Sequence, residues 1–327
     1  MAIIEKILKQ LTSDKINKEI EVVRKIKIPS GIKKWIKEYE KTGERDEFIW
    51  KWLYNMFQVV HLPDVPKKYQ ESLLELKILL TIFIVQLDDV ADKGKNFNLL
   101  NELLKIPAQQ DCIKYDNLNN TEKKYLFFTK NLWSYIEKKI QKYPNYQKCK
   151  TFFNYDVDQV LNAMKYSYLV NQNPYLINKT EYWMYLSYNM TFFVYSDFDL
   201  MCCSYFDFKK MGALREIISK AQKMARIGNW VSTWEREIED NDFTSGVFAQ
   251  AVHLGVLSAD ELKRKNKANI IHKIKKAKIE KNLLYEWEKY YFEIKKIGKK
   301  MPIIDVNKFL YSFEKLIILH LTSKGYK

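Results

Sequence analysis

Residues 71–94 read ESLLELKILLTIFIVQLDDVADKG. Leu76, Leu79, Leu80, Phe83, Ile84 and Leu87 recur at helical spacing, which predicts a buried helix over 68–92. Three aspartates, Asp88, Asp89 and Asp92, close it. In a helix Asp88 and Asp92 are i and i+4 and share a face, with Asp89 beside them. Carboxylates crowded at the end of an apolar helix repel one another and lose hydration together, so they need a compensating cation. An all-oxygen, highly charged set suits Mg²⁺, which keeps several waters and shares its remaining positions with phosphate oxygens. The plainer reading of the same residues is a solvated helix end, stopped at Lys93-Gly94-Lys95.

A second polar pattern lies in residues 225–246, ARIGNWVSTWEREIEDNDFTSG. Asn229, Thr233 and Glu237 are spaced i, i+4, i+8, so each step drifts only about 40° around a helix and all three share one stripe. They are oxygen donors again: amide, hydroxyl, carboxylate. The outer two are about 12 Å apart along the axis, and side chains lean toward the helix N-terminus, so Glu237 can reach back toward the others. One divalent cation could take all three. Taken by itself, the stripe is equally a polar face of a solvated helix.

Together the two patterns, D-D-x-x-D and N-x-x-x-[S/T]-x-x-x-E, resemble those of the class I terpene synthases, and the length of 327 residues is similar to that of the microbial members with one α domain. The resemblance implies an all-α, single-domain bundle over residues 1–327 with a central apolar cavity. It implies metal ligation by Asp88, Asp89, Asp92, Asn229, Thr233 and Glu237, three Mg²⁺ ions, and an isoprenyl diphosphate as substrate, farnesyl or geranylgeranyl diphosphate. Arg236 matches the basic residue that contacts diphosphate in many members. The expected reaction is ionisation of the diphosphate and cyclisation of the carbocation to a terpene hydrocarbon or alcohol. The resemblance also allows a homodimer.

The chain departs from that family at several points. Trp230 follows Asn229 where microbial members usually have Asp, and Thr233 stands where Ser is commoner. No arginine occurs from 151 to 214, where a diphosphate-sensing arginine is expected; Ser187, Tyr188 and Asn189 occupy the corresponding stretch. The C-terminal Arg-Tyr pair is absent, with Ser323-Lys324-Gly325-Tyr326 its nearest echo. These gaps bear on diphosphate sensing more than on the metal ligands.

Composition narrows the rest. With 9 Gly and 7 Pro scattered as punctuation there is no linker, and strict apolar/polar alternation is rare. Helices are predicted near 2–27, 31–41, 46–60, 68–92, 97–105, 121–142, 147–170, 180–206, 213–240, 244–253, 258–297 and 304–323, with breaks at Asp64-Val65-Pro66 and Asn173-Pro174. The fold class is therefore all-α. The net charge of +15 raises nucleic-acid binding through 263–281 as a reading, but that stretch interleaves Ile270, Ile271, Ile274 and Ile279 as a solvated surface helix does. Nucleic acid is not an expected partner. No run is long and apolar enough to span a membrane, and the apolar runs of the N-terminus are too short for a signal peptide. Cys112, Cys149, Cys202 and Cys203 form no C-x-x-C, so a reducing, cytoplasmic location is expected.

Of 55 basic residues only six are arginine, and Arg215, Arg226 and Arg236 fall on the helix of the second motif. Arg226 is a candidate second diphosphate ligand or, equally, a salt-bridge partner of a neighbouring helix. A carbocation needs an apolar, aromatic enclosure. Phe83, near Asp88 in sequence, and Trp230 lead the candidates, with Phe152, Phe153, Trp183, Phe192 and Phe193 behind them, although aromatics at helical spacing are ordinary core as well. The resemblance also implies a helix break facing the cavity, with Asn189–Thr191 as its neighbourhood. Two rival functions remain: a chain-elongating or head-to-head prenyltransferase, which needs a second aspartate-rich motif that EIEDND (237–242) does not supply, and a basic helical binding protein without catalysis.

Overall fold

A computed structural model describes residues 3–94, 96–264, 266–301 and 303–326. The expected helix stop at Lys95, the helix start at Ala2 and Lys265 of the basic stretch lie outside the described residues. Among those residues the protein is all-helical, with sixteen α-helices and no strand.

The predicted helix at 68–92 forms as Lys67–Asp88, opened by Pro66, and then continues as a π-helical turn over Asp89–Gly94. Its buried face includes Leu76, Leu79, Leu80, Phe83 and Leu87. It packs against Ser30–Tyr39, Glu47–Val59, Asn120–Ile140, Tyr146–Gln172 and Phe192–Cys202. The Phe192–Cys202 helix is buried along its whole length, as a helix that is apolar on nearly every side must be. Asp199 on that helix is neutralised by Lys77 at 2.7 Å, with both side chains only 2% exposed.

Phe192–Cys202 also packs against Met211–Glu239, the helix of the second motif. Ile279–Lys300 and Val306–Thr322 flank it. Gly228 lets the last of these approach closely: a Cβ there would meet the His320 ring at 2.7 Å. Both motif helices thus pack on the same buried helix.

Three predicted helices are broken. The segment 2–27 divides at Leu11-Thr12, where the Thr12 side chain caps Ser13–Arg24 by accepting from the Lys15 amide. The segment 258–297 becomes Ala259–Arg264, Lys267–Lys276 and Ile279–Lys300; Asn266 caps the second and Lys278, at φ 54°, separates the second from the third. The segment 180–206 divides into Lys179–Met184, a 3₁₀ turn at Leu186–Met190 and Phe192–Cys202, with Thr191 at φ 60° at the joint. A β-branched residue in the left-handed region is uncommon and marks a strained break.

Several lysines of the 263–281 stretch are spent on acids: Lys267 on Glu239, Lys273 on Glu261 and Lys275 on Glu235. Among the described residues no helix is long and apolar enough to cross a membrane. All four cysteines are free thiols, and Cys149, Cys202 and Cys203 are buried.

Candidate functional site

The strained break, the two motif helices and the C-terminal helix border one cleft of about 400 Å³. Asp88 and Asp92 line it from one side, and Asn229, Thr233 and Glu237 from the other, with Arg226, Arg236 and Asn189 between. Larger clefts of about 600 and 640 Å³ lie elsewhere and contain no residue of either motif.

The second motif folds as its spacing predicts. Thr233 Oγ1 lies 2.6 Å from Glu237 Oε1, while Arg226 Nη1 donates to Asn229 Oδ1 at 2.9 Å. Glu237 Oε2, the Arg226 Nε and the Arg236 Nε are buried and have no hydrogen-bond partner. The helix then ends in a double cap. Asn241, at φ 54°, donates its amide to the Ile238 carbonyl, and the Asp242 amide donates to that of Glu237. This cap turns Asp242 back into the cleft.

The first motif divides. Asp92, only 4% exposed, accepts from Asn171 Nδ2 at 2.9 Å, and the same amide donates to Asp242 Oδ1 at 3.2 Å. Asn171 Oδ1 accepts from the Phe243 amide. One amide therefore ties the first motif to the residues after the second. Asp88 reaches the cleft but is held by Arg45, whose Nη2 lies 2.9 Å from Asp88 Oδ2. Asp89 does not line the cleft: Tyr39 donates to its Oδ2 at 2.8 Å, and Arg45 Nε to its Oδ1 at 2.9 Å.

The electrostatics follow from this crowding. Burial, more than any neighbour, pushes the Asp88 carboxyl up, with Asp89 and Asp242 adding to it and Arg45 opposing. Burial and the nearby Asp242 and Asp88 hold Asp92 well above the usual carboxylate range. Burial and Asp242 push Glu237 up to about 7, against the Thr233 hydrogen bond and the two arginines. Burial lowers Arg226, although four surrounding carboxylates favour its charge; a guanidinium stays protonated regardless.

Counting all lining residues, Glu44, Asp46, Asp88, Asp92, Glu237, Asp240 and Asp242 outnumber Arg45, Arg226 and Arg236. A strongly basic chain has therefore built an acid-rich cleft. The donor set suits a hard divalent cation: carboxylates, an amide and a hydroxyl, with one buried carboxylate oxygen left without a partner. Among the described residues no three carboxylate, histidine or cysteine side chains are close enough together to hold a metal ion. Asp88 is bonded to Arg45 and Asp92 to Asn171, and two members of the second triad are neutral oxygen donors.

The apolar wall comprises Ile49, Trp52, Leu53, Met56, Ile84, Val85, Phe192 and Tyr195. Phe192 was among the expected rings. Phe83 and Trp230 lie elsewhere: Phe83 is wholly buried against Trp133 at 4.8 Å, and Trp230 against Trp183 at 4.8 Å. Ile84, Val85 and Asp88 face the cleft, so Phe83 is on the opposite side of its helix. Trp230 instead supports Arg226, whose guanidinium lies 5.3 Å from its ring centroid. Phe152, Phe153, Trp183 and Phe193 do not line the cleft. Asn189 does, its Oδ1 unpartnered and its Nδ2 donating to Ser167. Of the C-terminal echo, Gly325 and Tyr326 reach the cleft, whereas Lys324 pairs with Glu235 and Glu280.

Sequence reasoning missed Arg45, Tyr39, Asn171 and Asp242. The scarcity of arginine was a usable signal for Arg45; nothing local marks Asn171. No protein-family model matches the chain, and no curated protein matches it.

Proposed function

We propose that the protein is a Mg²⁺-dependent class I terpene synthase, which ionises a linear isoprenyl diphosphate such as farnesyl or geranylgeranyl diphosphate and cyclises the resulting cation. The observation that carries this reading is the convergence of Asp88 and Asp92 with Asn229, Thr233 and Glu237 on one cleft whose inner wall is apolar and aromatic. An anionic diphosphate entering an acid-rich cleft gains little unless cations enter with it. Asp88, Asp92, Asn229, Thr233 and Glu237 would hold Mg²⁺, which when bound supplies Lewis-acid stabilisation of the departing diphosphate.

The chain's own residues would do the rest. Arg226, whose guanidinium lies 5.3 Å from the Trp230 ring centroid, and Arg236, with a buried unpartnered Nε, line the cleft and would donate to the diphosphate. Trp52, Phe192 and Tyr195 line the cleft with aromatic rings, which would stabilise a cation without capturing it. Trp52 is fixed by its indole donating to Ser323 Oγ at 2.9 Å, and Tyr195 by its hydroxyl 2.7 Å from Thr81 Oγ1.

Asp240 and Asp242 in the same cleft favour a second reading, a prenyltransferase that holds Mg²⁺ on two acidic faces. A thermal-shift series with pyrophosphate and Mg²⁺, alone and together, tests the shared premise. Stabilisation by the pair that neither gives alone, lost in Glu237→Gln, supports a diphosphate site; no synergy contradicts both readings. Product elongation only on addition of isopentenyl diphosphate selects the prenyltransferase.

A further inference from the structure

The Glu40–Asp46 connection carries chemistry that neither motif accounts for. Tyr39 ends the preceding helix, and its hydroxyl both donates to Asp89 Oδ2 and accepts from the Arg45 amide at 3.2 Å. Gly43 folds directly over that ring: a Cβ there would lie 2.1 Å from a Tyr39 ring carbon. The fold brings Arg45 Nη2 to 2.8 Å from Asp89 Oδ1 and 2.9 Å from Asp88 Oδ2. Both oxygens of Asp89 and one of Asp88 are thus committed, while across the cleft Glu237 Oε2 and Asn189 Oδ1 have no partner.

We propose that Arg45 is a latch on the first acidic motif, an internal cation that holds Asp88 until a divalent ion displaces it. The latch presupposes the cation site proposed above. A guanidinium keeps its charge at any physiological pH, so it offsets the crowded carboxylates whenever no metal is bound. A divalent ion on Asp88 would repel a guanidinium bonded to the same carboxylate, and the two must compete. Asp89, turned from the cleft and bonded on both oxygens, is the anchor of the latch and not a ligand. Burial alone would lower the Arg45 pKa, but Asp89 and Asp88 outweigh it and hold the arginine above its ordinary value.

Calorimetric titration of the full chain with Mg²⁺, with pyrophosphate present throughout, tests the latch without turnover. Arg45→Gln is expected to tighten the Mg²⁺ midpoint by about tenfold, and Asp89→Asn to shift it in the same direction. An unchanged or weaker midpoint in Arg45→Gln, with wild type still binding, overturns the latch and leaves the cation site standing. If Arg45→Gln does not fold, Asp89→Asn decides: weaker binding makes Asp89 a ligand and overturns the latch. Absence of Mg²⁺ binding in wild type and variants alike overturns the cation site, and the latch with it.

Discussion

Thr233 Oγ1 lies 2.6 Å from Glu237 Oε1 and also 2.8 Å from the carbonyl oxygen of Asn229. A threonine hydroxyl has a single proton, so it cannot donate to both. With Glu237 protonated, its carboxyl donates to Thr233 and Thr233 donates to the Asn229 carbonyl. With Glu237 ionised, the hydroxyl turns to the carboxylate. Thr233 and Glu237 are therefore coupled to one proton, through the side chain of each.

That proton sets a pH dependence. Glu237 is raised from 4.5 to about 7 in the folded chain, so its contribution to stability is fully present below about 4.5 and is lost as pH rises through about 7. Asp88 and Asp92 shift in the same direction. In chelator, chemical denaturation should show stability falling across that window, with a shallower fall in Glu237→Gln. Mg²⁺ binds the ionised form, so its stabilising effect should grow over the same range.

Glu237→Gln should also lower kcat/KM for the diphosphate substrate by about 10²- to 10³-fold, the size of effect seen when one charge-stabilising group is removed from an active site. Steady-state kinetics at saturating Mg²⁺ measures it. A change of less than about threefold would show that Glu237 takes no part in the reaction.

Asn171→Ala removes the amide shared by Asp92, Asp242 and the Phe243 backbone. Leaving these groups unpaired should cost about 1–3 kcal/mol in urea denaturation. Part of the loss should be recovered on adding Mg²⁺ with pyrophosphate, because cations then compensate the two aspartates.

Lys77 and Asp199 form a buried pair away from the cleft. Lys77→Ala should cost about 3–5 kcal/mol, since it leaves Asp199 charged and uncompensated. Lys77→Met combined with Asp199→Leu should be markedly less costly than Lys77→Ala. Denaturation of the three proteins decides this; equal losses in both variants would show that packing, not charge, sets the effect.

The local pattern was legible where one helix face decides it. The Asn229–Glu237 stripe follows from its spacing, whereas the break at Asn189–Thr191 is an expectation of the family resemblance alone. What was not legible is long-range. Asp89 has the same local pattern as Asp88, and only the Tyr39–Arg45 fold, 44 residues away from Asp89 at Arg45, turns it from the cleft. Phe83 was favoured for nearness in sequence to Asp88, but being five residues away it lies on the far side of the helix. Asn171 ends the long Tyr146–Gln172 helix in a stretch with no motif, and its role exists only because Asp92 and Asp242 meet there. The π-helical turn at Asp89–Gly94 also breaks the α-helical register on which the first motif was read.

The most direct measurement is product analysis. The purified chain is incubated with geranyl, farnesyl and geranylgeranyl diphosphate, with Mg²⁺ or with chelator, and extracts are resolved by gas chromatography with mass detection. A terpene hydrocarbon or alcohol formed from one substrate in Mg²⁺, and lost in chelator and in Glu237→Gln, is the expected result. No product from any of the three by a folded protein with Mg²⁺ present would contradict the proposed synthase.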